Sequence, residues 1–373
     1  MIKNFFIIVI LLMTYFTGFT QPIRLPYDDS SGWMLVNLNI NDQAMVFLFD
    51  TGWDGLAIKS SLLPQFREGK EIAVVDANRV VAEVTTIQVD SMKVGNYTFY
   101  HLPFTDLESF PMMKDPIFNC YGIDGILGNV IYQDKILEIN PIKKEILLHD
   151  ITDELLTELD NNHFIKVNNR SEELRTRIVI PATINGLRTN YLMDTGDNGY
   201  LTATLTPIAL NRLSPNDTNR YVTAGSVGAF GMDERLSYTF INRDAEVEIS
   251  DLLLENEEVL YNSTDKAHQM GVEFIKQFYL FYNPITGILY LKKVKKSEVQ
   301  STLEKVGFGI AFIDGDYRIA ALSEFEENLK LGDRVIAINN IPMSELCGYR
   351  KYIQGLSNKP KIKIERNGVE FVF

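Results

Sequence analysis

The chain repeats itself. Residues 43–50 read Gln-Ala-Met-Val-Phe-Leu-Phe-Asp and run into Thr51-Gly52, while residues 187–194 read Leu-Arg-Thr-Asn-Tyr-Leu-Met-Asp and run into Thr195-Gly196. Each run follows a two-residue turn signal, Asn41-Asp42 or Asn185-Gly186, that begins nine residues before its aspartate. Such dipeptides between apolar runs read as tight hairpins. The likeness returns downstream. Ile126-Leu127-Gly128 leads to a strand-like Ile136 to Pro141, and Gln269-Met270-Gly271 leads through Val272 to Phe278 into Tyr279 to Pro284. Asn140-Pro141 recurs as Asn283-Pro284, each followed by a further apolar strand. The aspartates are 144 residues apart, and the glycines and prolines 143. Three landmarks on one offset mark an internal duplication. The expected fold is mostly β, with two homologous β lobes.

Each run ends an apolar strand in Asp-Thr-Gly, a pattern suited to one chemistry. Hydrolysis of a neutral amide needs an activated water and a proton donor. Two carboxylates about 3 Å apart cannot both ionise and so share one proton. The ionised partner deprotonates water and the protonated one donates to the carbonyl oxygen. Asp50 and Asp194, one from each lobe, are the candidate pair. Thr51 and Thr195 offer hydroxyls that can bridge to backbone across the pair. Gly52 and Gly196 let the backbone approach the carboxylates where a Cβ would clash.

With these motifs the chain resembles the retropepsin-like and pepsin-like aspartic peptidases, whose lobes each carry Asp-Thr-Gly and, farther on, a hydrophobic-hydrophobic-Gly element, here Ile126-Leu127-Gly128. The resemblance covers roughly residues 33–149 and 175–293, and its short spacing is closer to the bacterial retropepsin-like group. It implies an aspartic endopeptidase acting on peptides or unfolded protein, without cofactor or metal, and active as a monomer because one chain carries both aspartates. Three positions depart from the pattern. Trp53 and Asp197 follow the tripeptides where pepsins place Ser or Thr, and Asp197 adds a third acid. Gln269 is polar where an apolar residue is expected, which reads as partial degeneration of the second lobe. A flap is expected from Val74 to Val81 or from Ala224 to Met232, the latter holding Gly225, Gly228 and Gly231.

After Lys292 the repeat stops. A charged, helix-like stretch, Lys293 to Lys305, precedes Gly307-Phe308-Gly309-Ile310. Leu331-Gly332-Asp333-Arg334-Val335 with Ile338-Asn339, a helix-like Ser344 to Leu356 and a strand at Lys361 to Glu365 follow. This segment resembles a PDZ domain, an α+β module. The resemblance implies that Gly307, Phe308, Gly309 and Ile310 form a carboxylate-binding loop for a C-terminal peptide ligand, added as a strand. None of the catalytic candidates lies in it, so its removal is expected to spare cleavage of short peptides.

The remaining features bound the setting. Lys3, the apolar run Phe5 to Phe16 and Gly18-Phe19-Thr20 before Gln21 have the layout of a secretory signal. The run is short of the about 20 apolar residues of a membrane span. Export to a periplasm or medium is expected, with an uncleaved membrane anchor as the alternative. The division is 1–20 signal, 21–160 first lobe, 161–296 second lobe and 297–373 PDZ-like. A net charge of −13 argues against a nucleic-acid partner. Cys120 and Cys347, far apart and without CxxC spacing, read as buried free thiols, and the four histidines show no metal-ligand spacing. A non-catalytic peptide receptor using the same cleft and PDZ module is the competing function.

Overall fold

A computed structural model describes residues 21–373 except 77, 172–174, 213–218, 225–226, 233–234, 265–267, 296–301, 347 and 357. The expected signal segment and Gly225 lie outside the described residues. The chain is mostly β and contains two closed six-stranded barrels. Each is built around one of the sequence hairpins. Strand Leu35–Ile40 pairs with Gln43–Asp50 across Ile40↔Gln43, and Val179–Ile184 pairs with Leu187–Asp194 across Ile184↔Leu187. Both central residues of each turn have positive φ, at 47° and 65° for Asn41 and Asp42 and at 48° and 74° for Asn185 and Gly186. That is the twist a two-residue hairpin needs, and Asn, Asp and Gly adopt it most readily.

The aspartate-bearing strands lie inside the barrels. Gln43–Asp50 runs parallel to Ile123–Gly128, bringing Asp50 opposite Gly128. Leu187–Asp194 runs parallel to Gln269–Gly271, bringing Asp194 opposite Gly271. The first barrel continues through Leu56–Ile58, Tyr97–Asp106 and Val81–Val94 and closes where Ile40 meets Met92. The second continues through Leu201–Thr204, Leu252–Asn262 and Ser237–Ile249 and closes where Ile184 meets Val247. The strand order is the same in both. A six-stranded antiparallel sheet joins the halves. In it Ile136–Asn140 pairs with its repeat partner Phe278–Asn283, register Ile139↔Leu280. The recurring Asn-Pro turns have a common cause: Asn140 Oδ1 accepts from the amides of Ile142 and Lys143, and Asn283 Oδ1 from those of Ile285 and Thr286. One apolar core runs through both barrels and this sheet.

Residues beyond the repeat form strands Phe308–Ile313, Asp316–Ser323, Arg334–Ile338 and Ile362–Arg366, with helices Thr302–Val306 and Tyr349–Gly355. The second helix is shorter than the sequence suggested, and a last hairpin to Val369–Val372 turns on Asn367-Gly368, the same turn chemistry again. This segment is fastened to both halves. Its strand Asp316–Ser323 pairs with Asn219–Thr223, which also pairs with the second barrel's Ser237–Ile249. Its core is continuous with Trp33, Leu35, Leu48, Ile117 and Ile123 of the first half. Cys120 is disulfide-bonded, not a free thiol. The sequence has one other cysteine, Cys347.

Candidate active site

The two Asp-Thr-Gly loops meet back to back where the barrels adjoin. Thr51 and Thr195 are fully buried, at 1% and 0% exposure, and grip each other reciprocally. Thr51 N donates to Thr195 Oγ1 at 3.0 Å, and Thr195 N to Thr51 Oγ1 at 3.1 Å. Each hydroxyl then donates across the pair at 2.7 Å, Thr51 to Met193 O and Thr195 to Phe49 O. Both amides and both hydroxyls of the threonine pair are satisfied, which fixes the loops without any charge. Asp50 and Asp194 are thereby set side by side and share a hydrogen bond.

The carboxyls are cradled symmetrically. Asp50 Oδ1 accepts from the amides of Gly52 and Trp53 at 2.8 and 3.1 Å, and Asp194 Oδ1 from those of Gly196 and Asp197 at 2.9 and 3.3 Å. In the position after each glycine the donor is a backbone amide, that of Trp53 or Asp197, and neither side chain supplies the hydroxyl that Ser or Thr would add. The glycines are needed for approach: a Cβ on Gly52 would stand 2.7 Å from the Asp194 carboxyl, and one on Gly196 would run into that of Asp50. Burial drives both carboxyls above the usual carboxylate range. For Asp50 the hydrogen bonds from Asp194 and from the two amides pull the other way. Asp194 is pushed up to about 8, by burial first and then by the charge of Asp50 and the bond between them. A second negative charge is suppressed once the first is present, so one proton belongs to the pair as a unit.

Two acids flank the pair. Asp197 turns its carboxyl back to the amide of Gly199 at 2.8 Å. Asp54, not singled out from sequence, accepts from Asn129 Nδ2 at 2.7 Å and forms an ion pair with Arg177. Gln269 has a different meaning from the one its polarity suggested. Its Nε2 donates to Asp194 Oδ2 at 3.0 Å. It occupies the place of Ile126, which points into an apolar cluster instead. The second half thus has a side-chain donor at its aspartate where the first half has the apolar Ile126.

The two flap candidates occupy matching places. Arg67–Val75 pairs with Val81–Val94 in the first half, as Asn219–Thr223 pairs with Ser237–Ile249 in the second. Val74 and Val81 flank the first tip, and Gly228 and Gly231 flank the second. The tips touch: Phe230 N donates to Asp76 Oδ2 at 3.1 Å, and Asn78 Nδ2 to Gly231 O at 3.3 Å. Phe230 lies 5.2 Å from the Phe110 ring, in a cluster with Val84, Ala229, Val74 and Trp53 beside the Asp50 loop. The expected peptide-carboxylate loop is packed differently from an open groove. Phe308 is in the core at 1% exposure, Leu303 lies over Gly309, and Tyr349 Oη donates to Ile310 O at 3.1 Å. Gly307 has φ +81° and open space beside it. Among the described residues no group of three or more His, Cys, Asp or Glu is gathered as a metal site. The chain matches no family model and no curated protein.

Proposed function

We propose that the chain is an aspartic endopeptidase of bilobal, retropepsin-like or pepsin-like form, with Asp50 and Asp194 as its catalytic carboxylates. The observation that carries this reading is a side-by-side pair of partly buried carboxyls, one from each repeat, locked by reciprocal threonine bonds. A water held between the carboxyls loses a proton to the ionised one and attacks the peptide carbonyl. The protonated one donates to the carbonyl oxygen. The tetrahedral intermediate collapses as the amide nitrogen takes a proton from the dyad. The substrate is a peptide or an unfolded protein, because an extended segment must lie under the hairpins to reach the pair.

In this reading residues 21–160 and 161–296 are the lobes and 297–373 a PDZ-like module. A C-terminal peptide adding to strand Phe308–Ile313 would have to displace the Tyr349 hydroxyl from Ile310 O. The disulfide at Cys120 supports an oxidising compartment, and so export. Digestion of a peptide library by the purified monomer over a pH series tests the reading. Cleavage that follows a bell-shaped pH profile and is blocked by a statine-type transition-state analogue is expected. Analogue binding without cleavage at any pH would favour the receptor.

A further inference from the structure

We infer that the segment beyond the repeat is part of the catalytic apparatus, with Trp33 and Arg350 as positioning residues for the loop that carries Asp194. The inference rests on the peptidase reading and concerns what holds that dyad still.

Gly196 is the point on which both carboxyls depend. Its amide donates to Asp194 Oδ1, and its Cα lies against the carboxyl of Asp50. A shift of this one residue disturbs the two halves of the pair together. Its carbonyl accepts at 2.9 Å from Trp33 Nε1, an indole that is 5% exposed. The repeat explains the placement. Trp33 lies two residues before strand Leu35–Ile40, and Arg177 lies two residues before the matching strand Val179–Ile184. Arg177 pairs with Asp54 on the Asp50 loop, so each half reaches across to brace the other's aspartate loop. The second brace is an ion pair between the halves. The first is a neutral indole, and it is backed by the C-terminal segment.

That backing is specific. The Trp33 ring stacks on Phe118 at 6.3 Å and meets Tyr121 edge-on at 6.2 Å. The Arg350 guanidinium stands over it, 6.0 Å from the ring centroid. Arg350 Nε donates to Tyr349 Oη at 3.3 Å, and Tyr349 donates to Ile310 O. The charged and titratable groups facing the guanidinium are Tyr349, Asp115 and Asp197, with Tyr121 and Tyr317 close by. Asp197 is in the same loop as Gly196, so the cation attracts that loop as well as the indole face. Lys351 donates to Ser30 O, and Gly348 packs on Tyr121, which fixes the helix carrying Arg350 against the segment leading to Trp33.

Trp33→Phe keeps an aromatic ring against Phe118 and Tyr121 but removes the N–H donor together with the second ring of the indole, so melting temperature is read beside kcat. Arg350→Met removes the charge, and Arg350→Lys restores it. In the full-length protein, active sites are counted by titration with a statine-type analogue, and kcat and KM are measured on a short peptide per titrated site. Trp33→Phe is expected to lower kcat about tenfold, the loss of one hydrogen bond worth about 1.4 kcal/mol, with KM within about twofold. Arg350→Met should lower kcat in the same sense, and Arg350→Lys should recover part of the loss. If the variants lose titratable sites or melting temperature while kcat per site stays at the wild-type value, the residues are only structural and the inference is overturned. A wild type that neither cleaves nor binds the analogue overturns the peptidase reading itself, and this inference falls with it.

Discussion

The proton that Asp50 and Asp194 share makes two predictions about pH. Burial and the charge of Asp50 push Asp194 up to about 8 in the folded protein, from an ordinary carboxyl value of 3.8. The folded protein therefore keeps a proton that the unfolded chain releases, and the associated stability is present below about pH 4 and lost as pH rises through about 8. Asp194→Asn cannot lose that proton. Its melting temperature relative to wild type should rise from pH 4 to pH 8 by at least about 2–4 °C, the shift that roughly 1 kcal/mol produces in a domain of 150–250 residues. Calorimetry at the two pH values checks this, and a constant difference would contradict it. Gln269→Leu removes a donor that favours ionised Asp194. Because Asp194 is the partner that keeps the shared proton, the alkaline limb of kcat/KM should move to higher pH by about one unit, since a hydrogen bond to a charged group is worth about 1.5–3 kcal/mol and one unit is 1.36 kcal/mol. An unmoved alkaline limb would mean that the amide is idle. The dyad candidates were legible because the sequence prints them twice. The contact of Gln269 was not legible because its partner is on a strand 75 residues away, and without that contact a polar side chain in an apolar slot reads only as a departure from the pattern. The disulfide at Cys120 was hidden for the same kind of reason: spacing along the chain carries no record of a long-range pairing.

At the scale of elements, the hairpins explain themselves locally and the barrels do not. Asn41-Asp42 and Asn185-Gly186 specify their turns by backbone preference alone, and Asn367-Gly368 does so again in a hairpin that the strand reading had ended at Glu365. Barrel closure depends on contacts such as Ile40 with Met92 and Ile184 with Val247, which no local pattern encodes. The touching hairpin tips are likewise invisible in sequence, and they carry a prediction. The Phe230 ring occupies apolar space beside Phe110, Val74 and Trp53 that a substrate side chain next to the scissile bond would use. Phe230→Ala gives the substrate less to displace and raises the fraction of binding-competent protein. KM for an aromatic-containing peptide should fall a few-fold with kcat little changed. A higher KM would show instead that Phe230 helps to hold the substrate.

The whole molecule is more tightly integrated than a peptidase with a tethered docking module. Removal of residues 301–373 would uncover Trp33, Leu35, Leu48, Ile117 and Ile123 and strip strand Asn219–Thr223 of a neighbour. The expectation from sequence, that short-peptide cleavage survives this truncation, therefore changes. The truncated chain should lose most of its activity and expose apolar surface, measurable as dye binding together with short-peptide turnover. Full turnover in a monomeric truncation would restore the tethered picture. The central claim is itself a whole-molecule statement: one active site is assembled from both repeats, and neither half has a function of its own. Its most direct measurement is kcat/KM for wild type, Asp50→Asn, Asp194→Asn and the double variant, each verified as folded. Two halves of one proton-sharing unit predict that either single change abolishes turnover and that the double variant is no worse than the singles. Substantial turnover in either single variant, or losses that multiply in the double, would contradict the account.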